Sequence, residues 1–139
     1  VDRNCQGCHS PRDAAGAEPV PAAQLDLSST PSPEQSYQLT SYRELLFGDN
    51  AQQVDMGALR DILVPGPIDP VTGQPTLVPV AVAASMSSSG AGASSRFFSR
   101  FDPGGTHAGF LTDAELRLIA EWLDIGGQYY NDPFTSPEN

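Results

Sequence analysis

Apolar side chains recur at helical spacing in four stretches of this 139-residue chain. Residues three or four apart share one face of a helix, so the spacing predicts amphipathic helices at 41–47, 51–63, 93–101 and 112–125. The last of them has the clearest signals, because Thr112-Asp113-Ala114-Glu115 is a capping box and Gly126-Gly127 can end the helix. The apolar stripes consist of Tyr42, Leu45 and Leu46; Met56, Leu59, Ile62 and Leu63; Phe97, Phe98 and Phe101; and Leu116, Ile119, Ala120 and Leu123, with Trp122 beside them.

The stretches between these helices are rich in proline and glycine, with 13 of each in the chain. Residues 10–40 show little periodicity and predict an extended loop that wraps around another group. Residues 64–83 contain five prolines, which exclude a helix, and Asp69 to Gln74 predict a turn between two short extended arms. Aromatic residues at 129–134 predict a tail that folds back over the body. The pattern as a whole predicts a mostly α protein with long Pro/Gly-rich loops and at most one short hairpin.

Length and charge narrow the class of protein. A chain of 139 residues is one domain with a modest core. Seven basic and seventeen acidic residues give a net charge of -10, which disfavours nucleic acid and anionic membranes and suits a protein partner with a basic patch. No apolar run approaches the roughly 18 residues that a membrane-spanning helix needs. No catalytic triad, carboxylate pair or phosphate-binding loop indicates hydrolysis or phosphoryl transfer.

The strongest motif is Cys5-Gln6-Gly7-Cys8-His9, which contains both cysteines of the chain. The CxxCH spacing lets two thiols attach covalently to one haem while His9 binds its iron, so the motif predicts a single haem c. A zinc site would need two more cysteine or histidine ligands nearby, and the only other histidine is His107. A redox disulfide would need a different local context, because a turn follows His9. Covalent haem is therefore the favoured interpretation.

Three residues compete for the second axial position of the iron. Met86 lies in a run of small residues that could approach a flat ring, and it is the favoured ligand. His107, in a Gly-rich turn just before the last helix, is the main alternative, followed by Met56. The choice matters because a thioether raises the reduction potential and a second imidazole lowers it. Arg43 is a candidate partner for a haem propionate, since its planar guanidinium suits a carboxylate.

Four segments, CQGCH, SYRELLF, SMSSSGAGASSRFF and LTDAELRLIAEWLDIGGQYYNDPF, resemble the cytochrome c modules of secreted multi-domain redox proteins from polysaccharide-degrading bacteria. The resemblance implies a class I-like cytochrome c fold over residues 1–139, as one domain excised from a longer secreted protein. It implies that Cys5 and Cys8 carry the haem, that His9 is the proximal ligand, and that the location is periplasmic or extracellular. The implied function is one-electron transfer by a monomer, with a lytic polysaccharide monooxygenase as one conceivable acceptor.

Two other functions of a haem domain stay open at this point. A peroxidase-like enzyme would need a labile sixth iron site, where His107 could act as a distal acid and base. A ligand-sensing haem module would need affinity for a partner that depends on a gas. Cyanide or carbon monoxide binding distinguishes the enzyme from an electron carrier, because fast and tight binding to the resting protein requires an open iron site.

Overall fold

A computed structural model describes residues 2–12, 16–17 and 19–129 of the chain; the part of the expected aromatic tail beyond Tyr129 lies outside this range. The helices are α1 (Asp2–Cys5), α2 (Thr40–Leu46), α3 (Ser95–Phe98) and α4 (Asp113–Asp124), with 3-10 turns at Ala22–Gln24 and Ala91–Ser94. The strands are β1 (Asp49–Asn50), β2 (Gln52–Asp55), β3 (Ala58–Asp61), β4 (Leu63–Ile68), β5 (Pro75–Pro79) and β6 (Ala81–Val82). Within the described residues, the antiparallel strand pairs follow α2 in the chain and precede the last two helices.

The strands pair as β1 with β6, β2 with β3 and β4 with β5, and all three pairs are antiparallel. The backbone joins them at one point, where Ala51 N–H donates to Val80 C=O, Ile62 N–H to Ala51 C=O, and Val80 N–H to Ile62 C=O. Two hairpins therefore extend from a common junction that the short β1–β6 pair closes. Backbone pairing holds the region together, since most of its side chains are exposed or half-buried.

The core lies between α2, α4 and the loop that carries Met86. Leu27, Leu45, Met86 and Leu123 are buried together, and the Leu123 side chain is fully inaccessible at 0% exposure. Half-buried side chains of Cys5, Phe97, Phe98, Ile119 and Trp122, among others, pack around them. Residues from widely separated parts of the chain thus meet in one small cluster.

The expected helix at 51–63 is absent, and the hairpin β2–β3 occupies that segment instead. Val54 pairs with Leu59, and the turn between the strands has positive φ angles at Met56 (50°) and Gly57 (82°). Two successive positive φ angles are typical of a type I′ hairpin turn, which twists in the same sense as the strands it joins. Met56 is 95% exposed at the tip of this turn, so the apolar stripe read as a helix face was not one.

The prediction of a mostly α, class I-like cytochrome c fold is therefore wrong. Short helices and antiparallel strand pairs share the described chain, and there are three strand pairs in it where at most one hairpin was expected. The physical reason is the proline and glycine content between residues 48 and 83, which breaks helices and supplies turns. Backbone hydrogen bonds across β2–β3 satisfy groups that a helix would otherwise have paired.

Other predictions about local structure are confirmed. α2 ends before Gly48, and Leu45 is buried as its apolar spacing predicted. The capping box of α4 is present, with Glu115 N–H donating to Thr112 Oγ1 at 3.3 Å and Thr112 N–H donating to Glu115 Oε2 at 2.8 Å. The loop at Asp69 to Gln74 is the turn between β4 and β5.

Candidate functional site

The Cys-Xaa-Xaa-Cys-His motif forms one helical turn at the end of α1. Cys8 N–H and His9 N–H both donate to the Cys5 carbonyl, at 3.2 and 3.0 Å. Positions i, i+3 and i+4 of such a turn face the same side, so the two thiols and the imidazole emerge from one surface. The following loop holds the turn in place, since Ala22 N–H donates to Cys8 C=O at 3.0 Å and Leu27 N–H donates to His9 C=O at 2.8 Å.

The two cysteines are free thiols in unlike surroundings. Cys8 is exposed, whereas Cys5 is half-buried against the core, and this burial raises the pKa of the Cys5 thiol. A catalytic redox cysteine needs a lowered pKa, because the thiolate is the reactive form. The described residues contain no group of three or more Cys, His, Asp or Glu side chains placed to hold a metal ion. The geometry thus gives no support to either alternative use of the cysteine pair.

The imidazole rings of His9 and His107 face each other although 98 positions separate them in the sequence. Their centroids are 6.0 Å apart and their planes differ by 26°. Bonds from a metal to imidazole nitrogen are about 2.0–2.1 Å long, so two imidazoles on opposite sides of one ion have centroids about 6 Å apart. The centroid separation of these two stacked rings is close to that distance.

His9 also carries a buried nitrogen that the described part of the chain leaves without a hydrogen-bond partner, namely Nδ1. A buried polar atom in this state costs about 1–3 kcal/mol, and such atoms in native proteins call for an explanation. A prosthetic group bound against this ring would change the surroundings of the nitrogen. The buried Nδ1 atom, the two free thiols and the neighbouring His107 ring are together compatible with a covalently bound haem.

His107 is positioned by its own turn and by phenylalanine rings. Its backbone N–H donates to the Arg100 carbonyl at 2.8 Å, and Thr106 Oγ1 lies 2.9 Å from its Nδ1. The rings of Phe101 and Phe110 lie 5.5 and 5.8 Å from the imidazole, centroid to centroid. A hydrogen bond at Nδ1 to the hydroxyl oxygen would leave the other ring nitrogen as a potential metal ligand.

One contact joins this turn to the CxxCH motif. Asn4 Nδ2, one residue before Cys5, donates to the Phe110 carbonyl at 3.0 Å. Sequence reasoning named neither Asn4, Thr106 nor Phe110. Only the position of Thr106, directly before His107, could have drawn notice, because the other two residues join the site through tertiary contacts across more than 100 positions.

The remaining predicted site residues make other contacts in the described part of the chain. Met86 is 6% exposed in the core cluster, and its N–H donates to the Leu45 carbonyl at 2.8 Å. Met56 is at the hairpin tip described above. Arg43 forms an ion pair with Glu34, with 3.7 Å between Nε and Oε2, and its guanidinium lies 4.5 Å from the centre of the Phe47 ring. These contacts occupy the guanidinium that was predicted to meet a propionate.

No protein-family model matches the chain, and searches of curated proteins and of solved structures likewise return no match. The described helices include none that is long and apolar enough to span a membrane, as the sequence predicted. The functional argument therefore depends on the local chemistry of the site.

Proposed function

We propose that this chain is a one-electron carrier that holds a single haem c, which Cys5 and Cys8 would bind covalently and whose iron His9 and His107 would bind. The observation that carries the proposal is the 6.0 Å separation of the two imidazole centroids beside a CxxCH turn with both thiols free. When bound, the haem supplies a one-electron iron couple. The four-segment resemblance to secreted cytochrome c modules supports the same chemistry.

His107 is preferred here to Met86 as the second axial ligand. Met86 already has a role in the core, where Leu27, Leu45 and Leu123 surround it. A methionine in such a cluster is more often a packing residue than a ligand. The His107 ring, by contrast, stacks on the His9 ring with 6.0 Å between the centroids.

The other residues of the site would control access and orientation. The Phe101 and Phe110 rings beside His107 would limit the contact of the ligand with water, which helps to keep a six-coordinate iron from exchanging ligands. The net charge of -10 would favour encounter with a basic redox partner, at a rate that falls as salt is added. Covalent haem attachment normally takes place outside the cytoplasm, so we assign the protein to the periplasm or the extracellular space. A secreted oxidoreductase such as a lytic polysaccharide monooxygenase would then be a suitable acceptor.

The first test is covalent haem attachment. The chain is produced together with a c-type haem attachment system, and haem that survives denaturing electrophoresis is measured. We expect haem in the wild type and none in the Cys5→Ala/Cys8→Ala double variant. A folded wild-type chain that acquires no covalent haem under these conditions would overturn the proposed function.

The second test identifies the axial ligand by visible, near-infrared and electron paramagnetic resonance spectra of the oxidised protein. We expect a low-spin iron without a sulfur-to-iron charge-transfer band. His107→Ala should become high-spin, whereas Met86→Leu should leave the spectrum unchanged, as should the exposed control Met56→Leu. A sulfur band that Met86→Leu removes would assign the ligand to Met86. Fast, tight cyanide binding by the resting wild type would favour the peroxidase-like alternative.

A further inference from the structure

A group of carboxylates surrounds Glu44 on the side of α2 that faces away from the core. Glu44 shares a hydrogen bond with the Asp49 side chain of β1, accepts one from the Asp26 backbone N–H, and is close to the Asp26 carboxylate. The cavity beside it has a volume of about 310 Å³. Its charged lining residues are Asp26, Glu34, Arg43, Glu44, Asp49 and Asp61.

Acidic side chains outnumber basic ones around this cavity. Arg43 is the one basic residue in the lining, and its guanidinium is paired with Glu34 at 3.7 Å. Partial burial, and next the hydrogen bond and negative charge of Asp49, raise the pKa of Glu44 to about 8. Two adjacent carboxylates repel each other when both are ionised, so Glu44 retains its proton at neutral pH.

Two hydrogen bonds connect this proton to the haem-binding turn. Asp26 N–H donates to Glu44, and the next residue, Leu27, donates its N–H to the His9 carbonyl at 2.8 Å. A second connection runs through α2, because Leu45 follows Glu44 and lies in the core cluster against which Cys5 packs. The Asp26–Leu27 segment and the core cluster thus link Glu44 to the turn that would carry the iron.

We propose that Glu44 is a redox-linked proton site, so that at mildly alkaline pH the protein takes up a proton at Glu44 when it accepts an electron. This inference rests on the proposed function, because it requires a haem at His9. In the coupled step, ferric iron accepts one electron from a one-electron donor and becomes ferrous, and the Glu44 carboxylate takes one proton from solvent to become a carboxylic acid. The open cavity gives this proton a route from the solvent to Glu44.

The physical basis is electrostatic. Reduction removes one positive charge from the iron, so the protein holds a proton more tightly at a nearby acid. Linkage requires the reverse with the same factor, so a proton at Glu44 favours the reduced state. If the reduced protein binds the proton about fivefold more tightly than the oxidised protein, the midpoint potential changes by about 40 mV in total. A tenfold difference in proton affinity would change it by about 59 mV for a one-electron couple.

The experiment measures the midpoint potential of the haem protein from pH 6 to pH 10. For the wild type we expect a fall of about 40 mV centred near pH 8, and for Glu44→Gln a flat profile, because the amide cannot ionise. Asp49→Asn should shift the fall to lower pH, since it removes the repulsion that favours the proton. The control Glu121→Gln, on the exposed face of α4, should match the wild type.

The outcomes separate the two proposals. A chain without covalent haem, or without a reversible one-electron couple, refutes the proposed function. A normal couple whose pH dependence is the same in Glu44→Gln and the wild type refutes the proton site alone. Reduced-minus-oxidised infrared spectra give an independent measure. A carboxylic acid band that grows on reduction in the wild type and is lost in Glu44→Gln supports the assignment, and an unchanged band contradicts it.

Discussion

Glu44→Gln should make the folded protein more stable than the wild type at alkaline pH and not at acid pH. The pKa of Glu44 is about 8 in the folded chain against an ordinary value of 4.5. Between these two values the folded state holds a proton that the unfolded state has released, so the free energy of unfolding falls as pH rises from about 4.5 to about 8. Below pH 4.5 Glu44 is protonated in both the folded and the unfolded state, so its ionisation costs the folded protein no stability. Above pH 8 the loss of unfolding free energy caused by its ionisation is complete.

The size of the effect follows from the two pKa values. A difference of one pKa unit is worth 1.36 kcal/mol, which gives an upper limit of about 5 kcal/mol for Glu44. The carboxyl is only partly buried and borders an open cavity, so solvent screening reduces the expected loss to about 2 kcal/mol. Because glutamine has the shape of the protonated acid and cannot ionise, the variant should escape this loss.

Urea unfolding of wild type and Glu44→Gln at pH 5, 7 and 9, with equal haem content in both samples, measures the effect. The difference in unfolding free energy should grow by about 2 kcal/mol in favour of the variant between pH 5 and pH 9. Glu121→Gln should run parallel to the wild type over the same range. Parallel profiles for Glu44→Gln and the wild type would show that Glu44 titrates normally, and the reasoning from burial and Asp49 would be refuted.

Two further substitutions test the turn that carries His107 and the N-terminal cap of α4. A side chain at Gly105 would collide with the Arg100 carbonyl, so Gly105→Ala should displace the turn that carries His107 and weaken low-spin iron coordination, measured as the high-spin fraction. Gly92→Ala is its control because a Cβ there meets nothing within 4 Å, and equal spectra for the two variants would contradict the role of the turn. Thr112→Ala should remove the capping interaction of α4 and lower the unfolding free energy by about 1 kcal/mol, and no loss in urea unfolding would contradict it.

Sequence patterns predicted the parts of the fold that local chemistry decides. The capping box at Thr112 and the prolines around the turn at Asp69 to Gln74 act within a few residues, and both predictions were correct. The helix predicted at 51–63 was wrong because a short apolar run with period 3.6 can also form a strand pair. The decisive signal was the turn at Met56-Gly57. Periodicity alone cannot distinguish these cases.

The candidate site was predictable in its chemistry and not in its assembly. Cys5, Cys8 and His9 are adjacent in sequence, so their spacing alone indicated haem. The approach of His107 depends on contacts between distant parts of the chain, such as Asn4 with the Phe110 carbonyl. The acid group around Glu44 was missed for the same reason, since Asp26 and Asp49 come from different segments and no motif joins them.

The proposed ligand pair and an ionised Glu44 would both lower the reduction potential. A second imidazole in place of a thioether lowers the potential of a haem. A further negative charge near the iron would lower it again, because it stabilises the ferric state. At neutral pH the proton on Glu44 removes one such charge from an otherwise acidic protein. The potential of this carrier should therefore be more sensitive to pH between 7 and 9 than to the exposed carboxylates, which solvent and salt screen.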